Sequence, residues 1–123
     1  GEAAETMLAA TEAASWRTFT CETVLNEIER VLVDYLEFSP RLARLTRQRC
    51  LRRASCVNER PSRHEVTGDP QDSPILRAAL DAGADYLVTN DEHLLNLNPY
   101  ESLLIVSMTQ YYELLQDEGH IAL

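Results

Sequence analysis

Two short runs constrain this chain more than anything else in it: DYLVT (Asp85–Thr89) and LLIVS (Leu103–Ser107). Each is apolar at consecutive positions and not at alternate ones. A strand with one wet face alternates, so these two belong to a sheet covered on both faces. Around them the pattern turns helical. Asp72 stands where a helix should start, and Gly83 is the glycine stop expected at its end. Asn90–Leu95 has room for one or two helical turns. Ser107-x-x-Gln110 is a capping box, which predicts a last helix over Thr109–Gln116 and leaves Gln116–Leu123 as a loose tail. Strands alternating with helices imply an α/β fold: a parallel sheet with helices on both faces and function at the carboxyl ends of the strands.

The first half follows the same alternation. Glu2–Ala14 is rich in alanine and glutamate, lacks proline, and reads as a helix. Trp16–Cys21 mixes aromatic and β-branched residues and reads as a short strand. A second helix is expected through Glu37, with Val24, Leu25, Ile28, Val31, Leu32, Tyr35 and Leu36 as its buried face. Ser39-Pro40 starts a third, running to about Arg53, with Leu42 and Leu45 inward and Cys50 and Leu51 as further candidates. Ala54–Asn58 is a short strand. Glu59–Gln71 holds Pro61, Gly68 and Pro70 and reads as a surface loop. At 123 residues the chain is expected to be one domain.

All 11 basic residues are arginine. Without lysine there is no Walker-type phosphate loop, no receiver domain and no Schiff-base enzyme. The net charge of −9 hides a split. Residues 41–63 carry eight arginines against one acid, Glu59, while the remainder carries three arginines and nineteen acids. The average sign opposes non-specific nucleic-acid binding, but a local arginine block does not. The bland reading of that block is a solvated helix face; the functional one is a set of phosphate contacts. Cys21, Cys50 and Cys56 have no metal-type spacing and are expected to be free thiols in a reducing cytoplasm. No apolar run approaches the roughly 20 residues of a membrane span.

Taken singly, the acids at the strand ends have dull explanations. Asp72 would be a helix cap, Asp91 a first-turn acid favoured by the helix dipole, and Glu27 a polar edge residue. Taken together, three carboxylates from three segments could converge on one edge of the sheet. Like charges that close resist ionising together, and a divalent cation removes the conflict. All-oxygen ligands suit Mg²⁺ or Mn²⁺ better than Zn²⁺.

The run DPQDSPILRAALDAGADYLVTNDEHLLNLNPYESLLIVSMTQYYELL resembles the carboxyl half of bacterial PIN-domain proteins, nearest to the toxin components of toxin–antitoxin pairs. TCETVLNEIERVL is similar to the same family's strand-to-helix segment. The resemblance spans about Glu5–Leu115 and is strongest over Asp69–Leu115. It implies that Glu27, Asp72 and Asp91 hold Mg²⁺ or Mn²⁺ and that the protein hydrolyses RNA through attack by a metal-activated water. Thr89 resembles the residue that braces the site, and Asn90 is the variable position beside it. Arg41, Arg44 and Arg52 would hold backbone phosphates. A cognate antitoxin protein is the implied partner, and a homodimer stays open.

Two departures from the family pattern stand out. His93 occupies a position where members often carry another acid. The family's first strand, ending in Asp-Thr-Asn and central to its sheet, has no counterpart here. The chain is therefore expected to be part of a longer product. The resulting gap is expected to be closed by direct pairing of the flanking strands, by a segment swapped from a partner, or by upstream residues. The alternative to a ribonuclease is a PIN-like module that binds protein or RNA without catalysis. A third reading is an unrelated α/β domain that shares only the strand–Thr–Asn–Asp turn.

Overall fold

The computed structural model describes residues 2–123. In chain order the elements are α1 (Glu2–Ala13), β1 (Phe19–Cys21), α2 (Glu22–Asp34), α3 (Pro40–Arg53), β2 (Ser55–Val57), a 3₁₀ turn (Pro70–Asp72), α4 (Ser73–Asp81), β3 (Tyr86–Val88), α5 (Glu92–Leu95), β4 (Leu104–Val106) and α6 (Met108–Asp117). The expected α/β class holds: every strand pairing is parallel, and helices lie between the strands. The chain forms two compact units, one from residues 1–18 with 85–123 and one from residues 19–84.

In the unit of residues 19–84, β1 lies beside β2 with Phe19 opposite Ser55 and Cys21 opposite Val57. Cys21, Leu25, Ala43, Val66, Leu76, Ala78 and Ala79 are buried. Helix α2 begins at Cys21, whose side chain makes no capping bond. Glu59, just past β2, supplies that bond from 36 residues away. Its carboxylate accepts from the Thr23 N–H at 2.6 Å and from the Thr23 hydroxyl at 2.9 Å. Burial presses the Glu59 pKa upward, but the bonds from Thr23 and the Cys21 thiol outweigh it and hold the group below its usual value. Burial beside Glu59 pushes the Cys21 thiol up to about 11. Cys21, Cys50 and Cys56 are all free thiols.

Helix α3 corrects an expectation. Ser39 caps it as expected, accepting from the Leu42 N–H at 3.1 Å. Yet Leu42, Leu45 and Leu51 are about two-fifths exposed, and Ala43 is the buried residue. The inward stripe is Ala43, Arg47 and Cys50, spaced four and then three residues apart. Alanine permits close approach to α2, and Arg47 ties the two helices by ion pairs to Glu22 and to Glu29 at 3.4 Å, with a bond to Asn26. Leu42, Leu45, Arg49 and Arg52 form a second stripe of helical spacing, and periodicity alone cannot rank the two. Tyr35 and Leu36, expected on the buried face of α2, are also exposed.

In the other unit, β3 lies beside β4 with Leu87 opposite Ile105. The ladder extends at both ends through Leu104 N–H to Asp85 C=O and Thr89 N–H to Val106 C=O. Helices α1 and α6 pack through Met7, Ala10 and Leu115, with Trp16, Tyr111, Tyr112 and Ile121 against them. The tail is not loose. Gly119 takes φ +80°, and His120 N–H returns to Leu115 C=O at 2.8 Å, closing α6 so that Ile121 reaches the core. Gly83 ends α4 in the same way, with φ +66° and Ala84 N–H bonded to Ala79 C=O. Among the described residues the named strands form two two-stranded sheets, β1 with β2 and β3 with β4.

Candidate functional site

The acids at the strand ends fall in both units. In the unit of residues 19–84, Asp69 and Asp72 bracket the 3₁₀ turn that opens α4. Residues three apart eclipse one another in a 3₁₀ turn. The turn is closed by Asp72 N–H to Asp69 C=O at 3.0 Å. Each of the two side chains offers a carboxylate oxygen within 4.8 Å of the other's. Both residues are half-buried. Asp72 occupies the cap position of α4, but its side chain makes no capping bond, so the plain capping role does not describe it. The buried Ser73 hydroxyl accepts from Val66 N–H at 2.9 Å, which anchors the preceding loop to α4.

Asp69 is a residue that the sequence reading passes over. Its signal is the run Asp69-Pro70-x-Asp72: a proline fixes φ for a tight turn, and a tight turn of three residues brings its flanking acids together.

Glu27 does not join this pair among the described residues. It is exposed on α2, and its two oxygens accept from Arg30 at 2.6 and 3.3 Å. The guanidinium holds the Glu27 carboxyl below its usual range. Arg30 also lies over the Tyr35 ring at 5.6 Å.

In the other unit, Asp91 follows β3 and caps α5. Its Oδ1 accepts from His93 N–H at 2.9 Å and Leu94 N–H at 3.2 Å. Asp91 is thus the cap of α5 and not a first-turn acid, and the cap uses one oxygen of the two. The Thr89 hydroxyl accepts from Asp91 N–H at 3.0 Å and so braces this turn. Asn90 fastens the start of α6 to the end of β3, since its Oδ1 accepts from Met108 N–H at 3.1 Å. Arg41, Arg44 and Arg52 are exposed on α3.

Asp69 and Asp72 present hard oxygen donors close together, a set that fits a divalent cation such as Mg²⁺ or Mn²⁺ and lacks the nitrogen or sulfur that zinc favours. Like charges so placed repel unless a cation or a proton intervenes.

A family model described as PIN domain matches residues 1–93. That span contains Glu27, Asp69, Asp72 and Asp91 and stops short of β4 and α6. No curated protein and no solved structure gave a match.

Proposed function

This chain belongs to the PIN domain family, and on that premise we propose that it is a ribonuclease using Mg²⁺ or Mn²⁺, the toxin component of a toxin–antitoxin pair. Membership points to nuclease-type chemistry on RNA. The observation that carries the metal-dependent reading is the pairing of Asp69 with Asp72 across the 3₁₀ turn. The sequence resemblance adds Asp91 and Glu27 to the ligand set. The antitoxin assignment rests on the likeness of Asp69–Leu115 to toxin components.

When bound, the cation supplies Lewis acidity toward a phosphodiester oxygen and charge for the transition state. The chain's own residues do the rest. Asp69 and Asp72 concentrate negative charge that only a cation or proton relieves. Thr89 fixes the backbone of Asp91, and the two N–H bonds on Asp91 Oδ1 hold its carboxylate in one orientation. Arg41, Arg44 and Arg52 hold backbone phosphates by charge, without reading sequence.

The test is cleavage of a labelled single-stranded RNA with Mn²⁺ or with EDTA. Asp72→Asn and Asp91→Asn should each lower the rate by about 100-fold or more, the scale of losing one preorganised electrostatic group. Cleavage that survives EDTA and both substitutions would refute the proposal. A second reading, a PIN-like module that binds RNA or protein without catalysis, draws on Glu27, whose oxygens both engage Arg30. It predicts binding without cleavage in the same assay.

A further inference from the structure

A groove of about 380 Å³ lies within the unit of residues 1–18 and 85–123, between α5 and α6, where β4 ends. Leu95 and the buried Ile105 give it an apolar floor. Asn98, Thr109, Gln110 and Glu113 supply its polar lining. Thr109 and Gln110 lie four and three residues before Glu113 on α6, which makes each a neighbour of Glu113, and all three are exposed.

The internal hydrogen bonds decide what this lining can offer. Asn98 Oδ1 accepts from Ile105 N–H at 2.7 Å, and Gln110 Oε1 accepts from Ser107 N–H at 2.8 Å. Each amide therefore has its oxygen engaged by backbone and keeps its NH₂ as a donor. Thr109 adds a hydroxyl. Glu113 is the one carboxylate and accepts only. The groove thus combines an apolar floor, two amide donors and one anionic acceptor.

A planar heterocycle with adjacent N–H donors and a separate carbonyl acceptor matches that pattern. Among nucleobases this is guanine. Its N1–H and N2–H₂ can both bond one carboxylate, and its O6 and N7 accept from amide NH₂ groups. Adenine offers a single amino donor beside an acceptor nitrogen, which would face Glu113 unfavourably. The groove also has the right neighbour. α5 starts from its cap, Asp91, and the first N–H of α6, that of Met108, bonds to Asn90 Oδ1, so both walls are tied to the turn that carries Asp91.

We propose that the α5–α6 groove is a base-binding subsite that takes one unstacked guanine of a single-stranded RNA, with Glu113 reading its Watson–Crick edge. The inference deepens the ribonuclease reading and rests on RNA being the substrate.

The test measures binding by the full chain in EDTA, so that no metal and no cleavage enter. Two labelled RNA hexamers, AAAGAA and AAAAAA, are compared by fluorescence anisotropy, with inosine replacing guanine in a third. The guanine hexamer should bind about tenfold more tightly than the adenine one, within the range of a good bidentate base contact. Inosine, lacking the 2-amino group, should fall between. Glu113→Gln should reduce the preference below about twofold, by weakening the guanine hexamer and relieving the mismatch with adenine. Equal affinity for the guanine and adenine hexamers, no binding of either, or a preference that survives Glu113→Gln overturns the subsite. Cleavage with Mn²⁺ is scored separately: cleavage without guanine preference removes only the subsite, and preference without cleavage removes only the nuclease reading.

Discussion

At the scale of single residues, the start of α2 shows how a long-range contact replaces a local one. Cys21 sits where serine or aspartate would cap a helix, and Glu59 performs the capping from the end of β2. Glu59→Gln should therefore destabilise the protein by about 1 kcal/mol at neutral pH, the usual worth of a cap, as measured by urea unfolding. The Glu59 pKa is depressed in the folded state, so its contribution is present above the unfolded value of 4.5 and lost as pH falls through the folded one. The gap between wild type and variant should close below that window; a gap of constant size would mean that shape, not charge, matters. Cys21 works in the opposite direction. Its thiol is raised from 9.0 to about 11, so the stabilisation is intact below 9.0 and fades as pH rises through 11. Two pKa units correspond to on the order of 3 kcal/mol. Cys21→Val should lose this alkaline sensitivity in the same unfolding series. Neither contact is legible in the sequence, because nothing local marks a partner 36 positions away. The Ser107–Gln110 box is legible because donor and acceptor lie within one helical turn, and both of its bonds are present.

At the scale of elements, the sequence locates the strands and helices better than it orients their faces. The strands at Tyr86–Val88 and Leu104–Val106 lie inside the apolar runs expected as strands, but of their residues only Ile105 is fully buried, while Val88 and Leu104 are exposed, so the run of apolar residues marks the strands without marking two covered faces. For helix α3 the sequence places the ends and misleads on the rotation. Leucine usually marks the core, and here an alanine and an ion-paired arginine take that place. The consequence is an outward face on which Arg41, Arg49 and Arg52 alternate with Leu42 and Leu45. Replacing Arg41, Arg44 and Arg52 with glutamine should weaken RNA binding and flatten its salt dependence. Each lost phosphate contact removes about 0.7 from the log–log slope on a single strand, so three remove about 2. Folding should hardly change, since none of the three forms the Arg47 clamp between α2 and α3. An unchanged slope would reduce the block to a solvated face. The order of the carboxyl-terminal tail is hidden for a related reason. Gly119 is visible as a helix stop, but the packing of Ile121 against Met7 and Leu115 depends on α1, more than a hundred residues earlier.

At the scale of the whole molecule, the acids proposed as ligands are divided between two compact units, with Asp69 and Asp72 in one and Asp91 in the other. Sequence likeness assigns Asp72 and Asp91 to one metal site, and the chain's net charge of −9 makes any gathering of carboxylates costly without a cation. A cation bound only by the folded protein stabilises it by mass action, by about 2.7 kcal/mol at a hundredfold excess over Kd. Mn²⁺ at that excess should accordingly raise the melting temperature by about 10 °C, since about 1 kcal/mol moves a domain near this size by roughly 4 °C. The substitutions then separate the possibilities. If Asp72 and Asp91 are both needed to hold the ion, Asp72→Asn and Asp91→Asn should each abolish most of the shift, and the double variant should lose little more, because residues that share a ligand do not contribute additively. If the Asp69–Asp72 pair suffices, Asp72→Asn alone should remove the shift and Asp91→Asn should leave it whole. Glu27→Gln should have a smaller effect than either, given the engagement of Glu27 with Arg30. A shift that survives all three substitutions, or no shift in several-fold excess of Mn²⁺ or Mg²⁺, would place the metal elsewhere and remove the basis for metal-dependent hydrolysis by these acids.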